Sequence, residues 1–254
     1  MLAVALVYAG FAMVVLGVTS MVVTPTLLGI VTPLQAALIL VAGLVVSALG
    51  LFLPARETHV RTLRTHLDEF APVYQFNEIH KLQVRAPRDR VYKAIKSVTA
   101  DEILFFRPLT WIRRFGKRDS EDIFNPPKHV PLLEVATRTE FSVLAEEVDR
   151  EIVIGTVLEL ARARLPAARL KAYLKPEHFR ALDAPLLAKA VMNFRLEDAE
   201  PGTCSVTTET RVYATDVSAR LRCGAYWRII RPGSALLRRT CLRAVKLRAE
   251  AESS

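Results

Sequence analysis

The chain opens with two long apolar runs and then changes to a mixture of two-residue and three-to-four-residue periods. From Met1 to Val23 and from Leu27 to Leu53 almost every position is apolar, with Thr24-Pro25-Thr26 between the runs and Pro33 near the start of the second. Each run meets the roughly 20 residues that a helix needs to cross a hydrocarbon core. The pattern predicts a helical hairpin, residues 1–54, with its second span at about Leu34 to Leu53. Gly10, Gly17, Ala37, Gly43, Ser47 and Gly50 are the small residues that would let two such helices approach closely. Residues 55–75 read as a connector. Val60, Leu63, Leu67 and Phe70 recur there at helical spacing and predict a short amphipathic helix.

From residue 76 the alternation of a strand begins, in Phe76 to Val84. Ala86-Pro87 opens a helix whose buried stripe is Val91, Tyr92, Ile95 and Val98. Thr99-Ala-Asp-Glu102 has a capping-box pattern and predicts a second helix through Leu104 and Phe105 toward Trp111. Gly116 to Pro131 is polar and proline-rich, hence a loop. Leu132 to Arg138 fits a short helix or a strand. Phe141 to Val148 and Glu151 to Leu160 read as strands joined at Asp149-Arg150. Ala161 to Pro185 is poorly patterned and predicts a helix or loop inserted over the sheet edge.

Lys189 to Glu197 alternates most cleanly, with Ala190, Met192, Phe194 and Leu196 on one face. Thr203 to Ala214 is a long strand with Ser205, Thr207, Glu209, Arg211 and Tyr213 on one side. Asp216 to Glu250 is helical, with Arg231-Pro232-Gly233 expected to interrupt it. Asp216 would cap the first segment and Ser234 the second.

Charge sharpens this division. The 254 residues carry a formal charge of +9, yet residues 1–54 contain no Lys, Arg, Asp or Glu. A signal peptide is the competing reading of the N-terminus. It lacks a basic leading region, and two full-length runs exceed one signal core, although Val46-Ser47-Ala48 weakly resembles a cleavage site. Arg56, Arg61 and Arg64 follow the second span directly, so the positive-inside rule places the C-terminal domain in the cytoplasm, at the cell (inner) membrane. These three arginines are also the expected contacts to anionic lipid heads. Three cysteines without ligand-like spacing fit a reducing compartment.

The chemistry-bearing patterns are sparse. The sequence has no Gly-x-Ser-x-Gly, phosphate loop, His-Glu-x-x-His or Cys-x-x-Cys. No catalytic residue, metal site or cofactor is therefore expected. Asp101 and Glu102 are explained by helix capping, and His59 and His66 lack a third ligand. His80 is a single strand histidine, more often structural than a base. No aromatic-basic platform supports nucleic-acid binding. The basic positions Arg238, Arg239, Arg243, Lys246 and Arg248 read as a face for acidic lipid or a protein partner, or simply as a solvated face.

Ile79 to Ile95, Lys189 to Val212 and Tyr226 to Leu242 together resemble the START/Bet v 1-like superfamily, also called SRPBCC or polyketide cyclase/dehydrase-like. More narrowly, Thr-Ala-Asp-Glu-Ile, Leu-Thr-Trp-Ile-Arg and Tyr-Trp-Arg-x-Ile-x-Pro-Gly-Ser are similar to motifs of bacterial members of unassigned function. Cys241 stands where that pattern leads one to expect Trp. The resemblance covers about residues 76–250 and implies an α+β helix-grip fold: a curved antiparallel sheet around a long C-terminal helix, with an apolar cavity. It also implies a lipid or other hydrophobic small molecule as partner, and in some members cyclisation or hydrolysis.

On that basis Phe105, Trp111, Phe141, Met192, Phe194, Tyr226, Trp227 and Ile230 are the expected cavity residues, the plain alternative being that they fill the core. Glu209 and Arg211 are expected to orient a polar end of the ligand, against the alternative of a surface ion pair. The reading favoured is a membrane-anchored carrier, sensor or sequestering module. An enzyme of the polyketide cyclase/hydrolase type and a membrane-tethered scaffold are the alternatives.

Overall fold

The computed structural model describes residues 2–23, 32–114, 122–160 and 165–251. Contacts divide the chain into two compact units. Met1–Ala55 with Leu221–Arg231 form one, and Arg56–Arg220 with Pro232–Ser254 form the other.

In the first unit, α1 (Leu2–Val22) and α2 (Pro33–Phe52) are both long and apolar enough to cross a membrane. Thr32 caps α2 with a complete capping box to Gln35, and Pro33 occupies the first turn. The two helices pack through small residues. A Cβ on Gly43 would lie 2.7 Å from the Val14 nitrogen, and one on Gly10 would collide with Ser47 Oγ. Ala36 is fully buried in this seam, whereas the expected Ala37 is only half-buried, because Ala36, Gly43 and Gly50 repeat every seven residues along one line.

Most large side chains of both helices point outward. Tyr8 donates its hydroxyl to the Ile229 carbonyl at 2.6 Å, and the Arg228 guanidinium donates to the Leu51 and Leu53 carbonyls at the open end of α2. Gly43→Leu is expected to force the helices apart by about 2 Å or more, since no side chain fits at a backbone contact this close. Spin labels at Leu2 and Phe52 should report a longer, broader distance in that variant and no change in Val41→Leu, whose site is exposed.

The second unit is α+β. A two-residue pair, β1 (Thr58–His59) with β2 (Val73–Tyr74), brackets α3 (His66–Phe70). The main sheet contains β3 (Phe76–Val84), β4 (Ser142–Glu147), β5 (Glu151–Glu159), β6 (Leu187–Asp198) and β7 (Cys204–Ala214), in the order β3-β7-β6-β5-β4 and antiparallel throughout. Between β3 and β4 lie α4 (Arg88–Ser97), a 3-10 turn at Ala100–Glu102, α5 (Phe106–Arg113) and α6 (Leu132–Thr139). Between β5 and β6 lie α7 (Ala167–Tyr173) and α8 (Pro176–Arg180). The long α9 (Val217–Ala251) ends the chain.

Both faces of the sheet are covered. On the inner face Ile152, Ile154, Leu196 and Val206 pack with Val91 and Ile95 of α4 and with Leu242 and Val245 of α9. On the outer face Val153 and Val191 pack with Leu67 and Phe70 of α3 and Phe179 of α8. Residues 56–75, read from the sequence as a connector, therefore belong to the same compact unit as the sheet.

Three expectations need correction. Pro232 does not split α9, which runs unbroken for 35 residues, although a proline inside a helix removes one backbone hydrogen bond. Asp216 does cap the helix, accepting from the Ala219 N–H at 2.9 Å. The connector helix is only five residues long, so Leu63 lies outside it and is exposed. The helix expected from Thr99 is broken at Phe105, whose φ of 62° lies in the left-handed region, so α5 starts only at Phe106. Of the expected loop 116–131, residues 116–121 lie outside the described residues, as do 161–164 of the expected insertion.

Candidate functional site

The inner face holds an apolar cavity of about 140 Å³ between α4, α5, α6, α9 and the sheet. Its body is made by Ile95 of α4 and Val98 just after it, Leu133 and Ala136 of α6, Ile154, Met192 and Phe194 of the sheet, and Leu237 and Cys241 of α9. The space exists because short side chains meet there: Ala136, Cys241, Ser234 and Thr208 stand where larger residues would close the gap. Arg113, Ile123 and Phe124 form a partly exposed rim.

Part of the cavity lining is polar. Arg238 of α9 reaches the inner face and is largely buried, its side chain 18 % exposed. Its Nη1 donates to the Met192 sulfur at 2.8 Å, a weak acceptor. Its buried Nε has no hydrogen-bond partner. The nearest acid is Glu78 of β3, with Oε2 at 3.9 Å and a side chain only 2 % exposed. Glu78 Oε1 meets His80 Nε2 at 2.8 Å, while Oε2 has no hydrogen-bond partner. In register, Glu78 pairs with Thr210 and His80 with Thr208. Both threonine hydroxyls are buried without partners, and Thr208 also lines the cavity. Burial pushes the Arg238 guanidinium below its usual value, against the pull of Glu78. Burial also pushes the Cys241 thiol up to about 11, so it is a neutral, apolar wall and a poor nucleophile.

The sequence-predicted residues scatter around this site. Met192 and Phe194 line the cavity. Phe141 packs against the inner core without lining it. Phe105 and Trp111 are half-exposed, as are Leu104 and Ile112. Tyr226, Trp227 and Ile230 belong to the other compact unit.

Glu209 and Arg211 are not cavity residues: they lie on the outer face, because odd-numbered positions of β7 point away from α9. Arg211 there donates to Asp68 Oδ1 at 2.7 Å, to the Ala71 carbonyl at 3.2 Å and to Glu209 Oε1 at 2.8 Å, with its plane over the Tyr74 ring. Arg56, Arg61 and Arg64 are exposed. The expected basic face of α9 is largely engaged within the chain. Arg238 is buried, Lys246 reaches the Gln83 carbonyl and Glu250, and Arg248 pairs with Glu102, while Arg239 and Arg243 are exposed.

A second, polar groove of about 380 Å³ beside α3 contains His66, Arg150 and Arg195. Each already faces an acid, Glu69, Glu147 and Glu197 respectively. Among the described residues, no three metal-ligating side chains gather.

Glu78 and Arg238 are the site residues that sequence reasoning missed. Glu78 shares strand parity with the inward Phe76, Leu82 and Val84, and Arg238 falls on the same helix stripe as Leu237, Cys241 and Val245. Those parities were the available signal.

No protein-family model matches the chain, and neither does any curated protein. Among solved structures it is similar to the protein TTHA0849 from Thermus thermophilus, at 12 % identity and a TM-score of 0.28, over 70 % of this chain and 100 % of that one. It is also similar to the Zhui aromatase/cyclase from a Streptomyces species, at 13 % identity and a TM-score of 0.26, over 70 % of this chain and 96 % of that one.

Proposed function

We propose that this chain is a membrane-anchored module whose helix-grip domain binds a hydrophobic small molecule in the inner-face cavity. The observation that carries the reading is the cavity itself, an apolar space with a few polar groups in its lining, which is the usual make-up of a small-molecule site. The two apolar helices would hold the domain at its ligand source and raise its effective concentration there. Arg56, Arg61 and Arg64, directly after α2 in the chain, favour a cytoplasmic domain under the positive-inside rule. The exposed Phe105 and Trp111 suit the headgroup layer, where aromatic rings collect.

Volume sets the size of the bound part. A cavity of roughly 150 Å³ holds a benzene ring, so about 140 Å³ suits one ring or a short acyl segment. A whole phospholipid would have to leave most of itself outside.

The His80–Glu78 pair on β3, with His80 in register with the cavity-lining Thr208, favours a second reading, an enzyme of the polyketide cyclase/hydrolase type. A base oriented by a carboxylate is a standard catalytic arrangement. Turnover of a bound ligand that disappears in His80→Gln while binding persists would choose this reading over passive binding.

The test of the main reading is native mass spectrometry of the full-length protein, followed by solvent extraction. A stoichiometric apolar molecule is the expected result. A chain that stays empty after incubation with membrane extract contradicts it.

A further inference from the structure

The polar part of the cavity lining restricts what the ligand can be, granted the cavity-binding reading above. Arg238 brings a cation into an apolar space and leaves its buried Nε–H unbonded. Its described hydrogen bond goes to a thioether sulfur, and a guanidinium is built to meet two oxygens at once. Glu78 at 3.9 Å offsets part of the charge without accepting a hydrogen bond from it. Thr208, 1 % exposed, offers an unpartnered hydroxyl from β7 in the lining of the same cavity. Buried polar groups are almost always satisfied, so two unpaired donors lining one cavity call for an oxygen-bearing ligand. The remaining lining, including Ile95, Val98, Leu133, Phe194 and Leu237, is apolar.

We propose that the ligand is a compact acid, with a single ring or short acyl chain in the apolar body of the cavity and a carboxylate held by Arg238 and Thr208. Arg238 and, at the rim, Arg113 bring two positive charges to the lining and Glu78 beside it one negative, a net single charge that one carboxylate matches. A dianion such as a phosphate monoester would leave uncompensated charge in an apolar space, and an amine would be repelled. A neutral ligand of the same shape supplies no charged partner for the guanidinium. Sites built to hydrogen-bond a polar group discriminate strongly against analogues that lack it.

The experiment uses the full-length chain in phosphatidylcholine nanodiscs, with empty discs as the blank. Fluorine NMR follows 4-fluorophenylacetate and the neutral 4-fluorophenylacetamide. The acid is expected to bind at least ~10-fold more tightly than the amide, the scale of one charged hydrogen bond. Arg238→Met should remove that preference while leaving amide binding in place. Thr208→Val, which keeps the shape and removes the hydroxyl, should weaken the acid about threefold. Should Arg238→Met fail to fold, the acid-to-amide ratio of the parent chain and the Thr208→Val result decide the matter. Equal affinity for acid and amide overturns the inference and leaves the cavity-binding function standing. Failure of both probes to bind also overturns it, and the identity of any molecule extracted from the purified chain then shows whether the broader reading falls with it.

Discussion

Arg211→Met is expected to lower the unfolding free energy of the sheet-containing unit by about 3–5 kcal/mol, the range for breaking a buried ion pair from one side. Arg211 and Asp68 are 9 % and 7 % exposed and 2.7 Å apart. Removing the guanidinium strands the Asp68 and Glu209 carboxylates and the Ala71 carbonyl together on the outer face. Arg239→Met, at an exposed position, should change stability by less than about 0.5 kcal/mol. Urea unfolding in mild detergent, followed by tryptophan fluorescence, compares the two. A loss under about 1 kcal/mol for Arg211→Met would mean that α3 does not depend on this pair.

The same cluster fixes an acid limit. Burial alone would raise the Asp68 carboxyl, but hydrogen bonds from the Arg64 N–H, Arg211 and Thr65 outweigh it and hold the group below its ordinary value. An acid lowered in the folded state contributes stability that is fully present above its unfolded pKa of about 3.9 and is lost as pH falls through the lower folded value. The Arg211–Asp68 contribution should therefore persist at neutral pH and fade only below about pH 4.

Cys241→Trp is expected to reduce ligand binding by a hundredfold or more without unfolding the domain. Cys241 faces the cavity alongside Met192, Phe194 and Leu237, and an indole there adds bulk of the order of the cavity itself. Cavity volume costs roughly 24 cal/mol per Å³, so filling about 140 Å³ is worth up to about 3 kcal/mol. Overpacking strain is of about 1–3 kcal/mol and opposes that gain. The net change in stability should therefore be small or positive, while the ligand loses its place. Binding and the unfolding midpoint are measured on the same preparation. Retained affinity in a folded Cys241→Trp protein would put the ligand somewhere else.

Much of the fold was legible because its signals are local. The alternation in Phe76 to Val84 and in Lys189 to Glu197 survives as β3 and β6, and the expected spans, Met1 to Val23 and about Leu34 to Leu53, appear as α1 and α2 within a residue. The order of the main strands and of the long C-terminal helix could be read from the periods, whereas Leu132 to Arg138 and Ala161 to Pro185 fitted more than one element and proved to hold α6, α7 and α8. What failed locally was decided by tertiary contact. Pro232 breaks a helix by its own chemistry, yet α9 continues through it. The stripe Val60, Leu63, Leu67 and Phe70 predicted one helix, but only its last turn formed, where Leu67 and Phe70 could bury against Val153, Val191 and Phe179.

The site was less legible for a related reason. Met192 and Phe194 could be placed on one face by strand parity, but parity cannot say which face meets α9. Glu209 and Arg211 share a face, as the alternation requires, and it proved to be the one under α3. Arg238 is grouped with Arg239 and Arg243 when charge is counted along the chain, and is separated from them when the helix is wound. Its approach to Glu78, 160 positions earlier, depends on β3 and α9 meeting across the inner face, which no local period encodes.

The most direct measurement is a crystal structure of the full-length chain purified from native membranes without delipidation. The account predicts continuous non-protein density against Ile154, Met192 and Phe194, ending in oxygen within hydrogen-bond distance of Arg238 Nε and Thr208 Oγ1. A cavity closed by its own side chains, with Arg238 moved onto Glu78, would contradict it.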